Sequence, residues 1–155
     1  MMLGKIALTL WVITIGIFGW FFYKGQVIPS SNSNRTVVLL DASEREYVLA
    51  EMRSMLSSVQ QIILGIANDD RAAIERAASA AGMSVATDDN PRLLAKLPME
   101  LKALGFSTHK DMDALAAAAK NGAPYSEIMS MLGTSMVKCV ACHQTWQLGN
   151  SPSGK

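Results

Sequence analysis

The chain has 155 residues, half of them apolar, with 14 basic and 13 acidic side chains and a formal net charge of +1. No basic patch or stripe stands out, which excludes a nucleic acid or similar polyanion as partner. Both cysteines fall within one short motif near the C-terminus.

The first element is residues 1–24, read as an N-terminal transmembrane anchor. Ile6 to Tyr23 is 18 residues without a charge, bracketed by Lys5 and Lys24. As a helix it spans roughly 27 Å, close to the thickness of a hydrocarbon core. Trp20, Phe21, Phe22 and Tyr23 form an aromatic belt at the outgoing interface. A cleaved signal peptide is the competing reading, but no Ala-x-Ala-like site follows Tyr23. Lysines on both flanks leave the positive-inside rule silent about orientation. Without this segment the chain keeps 12 of its 14 basic residues against 13 acidic ones, so the remainder is close to neutral.

Residues 25–42 open with Gly, Pro, Ser and Asn and read as a linker. Residues 43–155 then read as one all-α domain. Ser43 and Glu46 are spaced as a capping box, followed by an apolar stripe of Val48, Leu49, Met52, Met55, Leu56, Val59, Ile62, Ile63 and Ile66. Asp69 or Asp70 caps an Ala-rich second helix that stops near Gly82. Residues 83–91 read as a loop, and a short helical piece over 92–104 breaks at Gly105. A third helix covers about 108–120. Pro124 opens a fourth, with Ile128, Leu132, Met136, Cys139, His143 and Trp146 on one face. No stretch alternates with a strand period. Four helices with short links predict an antiparallel four-helix bundle, in which cofactors sit between facing helices.

The fourth helix carries the most specific chemistry. Cys139-Val140-Ala141-Cys142-His143 is a Cys-x-x-Cys-His run, the attachment signature for a c-type haem. Two thiols three positions apart on a helix lie on neighbouring turns and can reach the vinyl groups of one porphyrin. His143 can then ligate the iron from the same side. Three other readings compete. A redox dithiol favours a helix N-terminus, where the dipole lowers the thiol pKa, and this pair lies late in its helix. Zinc would have to be held by Cys139, Cys142, His143 and His109, an awkward tetrahedron because His143 adjoins Cys142. A disulfide across two residues inside a helix is strained.

The motif on the last helix of a four-helix bundle resembles the class II c-type cytochromes, the cytochrome c-prime group, over about residues 43–147. Trp146 matches the family's aromatic three positions after the histidine. Gln147 stands where the family usually has a basic residue, and Leu97-Pro98 is similar to its crossover region. The resemblance implies one covalent haem c on Cys139 and Cys142, His143 as proximal iron ligand, and a haem domain on the periplasmic or other extracytoplasmic side of the cytoplasmic membrane. It also implies a distal residue from the first helix, which is either a methionine, for electron transfer, or apolar, for gas binding. His143 sits roughly 6 Å from the end of its helix, Met52 roughly 13 Å from the cap at Ser43, and Met55 roughly 18 Å. Met52 is the favoured distal ligand and matches the register of related b-type four-helix cytochromes. Met55, His109 or an open face are the alternatives.

The expectation is a membrane-tethered monohaem electron carrier, not an enzyme, serving redox protein partners. A five-coordinate protein binding nitric oxide or carbon monoxide is the first alternative, and a haem subunit of a respiratory membrane complex is the second. Relatives often dimerise through helices 1 and 2, and the Ala face of helix 2 leaves room for a homodimer.

Overall fold

A computed structural model describes residues 2–86 and 90–151. Helix α1 (Met2–Lys24) is long and apolar enough to cross a membrane, and from Gly4 onward its residues are exposed. Gly25, at φ +68°, ends it by donating its N–H to the Phe21 carbonyl at 3.0 Å, the left-handed turn that stops helices at glycine.

The segment read as a linker is folded. Strands β1 (Val27–Pro29) and β2 (Thr36–Leu40) pair antiparallel with Val27 opposite Val38. A third strand, β3 (Trp146–Asn150), pairs parallel to β2 with Thr36 opposite Trp146. The described residues are therefore predominantly helical with one three-stranded sheet, where the sequence reading had no strand at all. In β2 the two-residue period buries Val38 and Leu40, and this face packs on Leu93, Val48, Leu97 and Trp146.

Helix α2 (Ala42–Ala67) starts earlier than the Ser43 capping box implied. Asp41 is the N-cap, and its N–H donates to Glu44 Oε2 at 2.9 Å. Lys96, from another part of the chain, reaches the same carboxylates, and this favours Glu44 over Glu46 as the capping residue. Asp70 caps α3 (Arg71–Ser79), accepting from the Ala73 N–H at 2.9 Å. A single helical turn, α4 (Met83–Ala86), occupies part of the expected loop, of which residues 87–89 lie outside the described residues. Helix α5 (Pro91–Lys96) is followed by α6 (Met99–Lys120), which runs unbroken through Gly105. That glycine faces open space, and the burial of Lys102, Thr108 and Met112 on either side outweighs its poor helix propensity.

Helix α7 (Tyr125–Thr145) completes the main core. Val59 and Ile62 of α2, Ile74, Ala77 and Ala78 of α3, Met112, Leu115 and Ala119 of α6, and Ile128 and Leu132 of α7 form one buried cluster. Small alanines on α3 and α6 let those helices approach closely. Leu56 and Ile63, which the sequence stripe placed inward, are exposed.

Candidate haem-attachment site at the end of α7

Pro124 precedes the first turn of α7, and Glu127 complements its positive end. At the other end, the Trp146 N–H donates to the Cys142 carbonyl and the chain leaves as β3. The inward face runs Ile128, Leu132, Ser135, Cys139, Cys142 and Trp146, at helical spacings of three and four. Met136 and His143, expected on that face, are exposed.

Cys139 and Cys142 are half-buried and unbridged. Burial pushes both thiols above their ordinary pKa, and proximity of the two raises Cys142 further. They stay protonated at neutral pH, the opposite of what a reactive dithiol requires. His143, beside them, makes no hydrogen bond or ion pair with the described residues, so its ring nitrogens are free to ligate. Lys138, just before the motif, is tied to α6 by a 2.6 Å ion pair with Asp111 and a bond to the Ser107 carbonyl.

The surroundings fit a large apolar group. Val140, inside the motif, is 54% exposed, and Val137 and Met136 on the same helix are uncovered. Ser135, one turn before Cys139, has the only buried side-chain polar atom without a hydrogen-bond partner among the described residues. Neither the bare apolar surface nor Ser135 was visible in the sequence, because both depend on which side of α7 its neighbours cover.

The other predicted residues separate. Met55 packs against the main core and lines a small cleft of about 40 Å³ with Glu51, Ala81 and His109. Met52 is half-buried and belongs to neither apolar cluster. His109 Nδ1 bonds the Ala81 carbonyl at 2.8 Å, which pins α6 to the end of α3. Among the described residues no group of three or more His, Cys, Asp and Glu side chains converges, so His109 does not join the cysteines as a zinc site would require. Gln147, where a basic residue was expected, donates to Ser30 Oγ at 2.7 Å and ties β3 to the β1–β2 turn.

Comparison with known protein families, with curated proteins and with solved structures finds no match.

Proposed function

We propose that this chain is a membrane-anchored monohaem c-type cytochrome, similar to the class II group, that carries single electrons outside the cytoplasm. The observation that carries the reading is the pairing of Cys139 and Cys142 on one half-buried face of α7, with a free His143 beside them and bare apolar surface around them. Cys139 and Cys142 hold the haem c in this reading, and His143 is the proximal iron ligand. Bound haem supplies a one-electron couple. The chain supplies attachment, axial ligands and an apolar surround, and it acts as a carrier rather than an enzyme.

Met52 is the distal ligand in this proposal. Val48 clusters with Trp146, while Val59 and Ile62 cluster with Ile128 and Leu132. That order supports an antiparallel α2–α7 pair within a four-helix bundle. Met52 lies about 6 Å along its helix from Val48, and His143 about 5 Å from Trp146, so the two stand at one level. Met55 is about 10 Å from Val48 and engaged in the core.

The oxidised protein should show a methionine-to-iron charge-transfer band that disappears in Met52→Ala and survives in Met55→Ala. A high-spin spectrum with ready carbon monoxide binding would sink the carrier reading in favour of a gas-binding protein. A stoichiometric partner travelling with the protein in mild detergent would mark it as a subunit of a larger respiratory complex.

A further inference from the structure

The exit of α1 is clamped rather than hung. Lys102, at the start of α6 and buried, donates from Nζ to the Phe22 carbonyl at 3.0 Å, and its ammonium lies 3.7 Å from the centre of the Phe22 ring. This places a cation on the negative end of the α1 dipole and on an aromatic face together. Four residues on, the Gln26 N–H donates to the Lys96 carbonyl at 2.7 Å. Gly25 sits so close to the corner between α5 and α6 that a Cβ there would lie 2.5 Å from the Lys96 carbonyl oxygen and 2.6 Å from Pro98 N. The antiparallel pairing of β1 with β2 continues the attachment. No freely jointed stretch separates the apolar helix from the domain.

This contact fixes depth. An apolar run ending at Tyr23 puts Phe22 at the boundary between hydrocarbon and headgroups. Whatever touches Phe22 lies at that boundary too. Around the junction, Ile28 is 46% exposed and Met99 37% exposed, next to exposed Lys24 and Glu100. Two bare apolar side chains within a few residues of the membrane exit, flanked by charges, have the composition of an interfacial surface.

We propose that the base of the domain, presented by Ile28 and Met99 around the clamp of Lys102 on Phe22, is seated on the lipid headgroup layer of the membrane that α1 spans. The inference rests on the reading of α1 as an uncleaved anchor, so its test separates the two. A photo-crosslinking residue, benzoylphenylalanine, is placed singly at Ile28, Met99, Ile13 or Leu64 of the full chain, reconstituted in vesicles of phosphatidylcholine and phosphatidylglycerol. Irradiation should give lipid adducts, read by mass, at 28, 99 and 13. It should give none at Leu64, which is exposed and roughly 24 Å along α2 from Val48. Adducts at 13 with none at 28 and 99 would overturn the seat and leave the anchor standing. None at 13 would remove the anchor, and the seat with it.

Discussion

Lys96 Nζ stands 2.6 Å from Glu44 Oε2, and both side chains are almost fully buried where α5 meets the first turn of α2. Asp41, the helix N-cap, accepts from the same ammonium at 2.9 Å. The cluster joins the helix start to the corner that clamps α1. Removing one partner strands the other's charge, so Lys96→Met should cost about 3–5 kcal/mol in urea unfolding, and adding Glu44→Leu should recover much of the loss.

The same cluster sets a pH dependence. Burial alone would lower the Lys96 pKa, but hydrogen bonds and charge attraction from Glu44 and Asp41 outweigh it and raise it above 10.5. A folded pKa above the unfolded one means the contribution is fully present below the unfolded value and is lost as pH rises through the folded value. Thermal melts should therefore fall more steeply above about pH 10.5 in the wild type than in Lys96→Met.

Gly105 is the point where sequence and structure diverge on α6. Its position is helical, exposed and unobstructed, so Gly105→Ala should stabilise the protein by about 0.5–1 kcal/mol, read as a higher urea midpoint at constant slope. A decrease in stability would mean the helix does break there.

Ser135 is 1% exposed and its hydroxyl has no partner. Ser135→Ala removes a desolvated polar group without opening a large cavity, so stability should hold or rise by up to about 1 kcal/mol. A loss well beyond that in the haem-loaded protein, absent from the haem-free form, would reveal a bond formed only when the group is in place.

Covalent attachment is checked by haem staining of denaturing gels. The wild type should stain, and the double variant Cys139→Ala/Cys142→Ala should not. An unstained wild type would return the pair to dithiol or structural roles.

Much of the helical plan could be read from residues alone. The Ala-rich helix expected after Asp69 or Asp70 is α3, with Asp70 as its cap, and the helix expected to end near residue 120 is α6, which closes at Lys120. The sheet was hidden because β2 spans five residues and its partner β3 lies at the far end of the chain, so no local period reveals the pair. The face of α7 was ambiguous for a different reason. From Leu132, steps of three and of four are both helical, leading to Ser135 or Met136, and only the packing of neighbouring helices decides for Ser135. The separation of Met52 from Met55 likewise depends on which one the core has already taken up.

Thr36 lies opposite Trp146 in a parallel pair that spans nearly the whole domain. Such a contact is among the slowest to close, since its loop entropy is lost before any pairing rewards it. It also requires residues beyond the motif, so the sheet cannot finish until Cys139 and Cys142 have already emerged. Folding would then have a built-in order: the helices can form early from local contacts, and the sheet closes last, when the strand after α7 reaches back to β2.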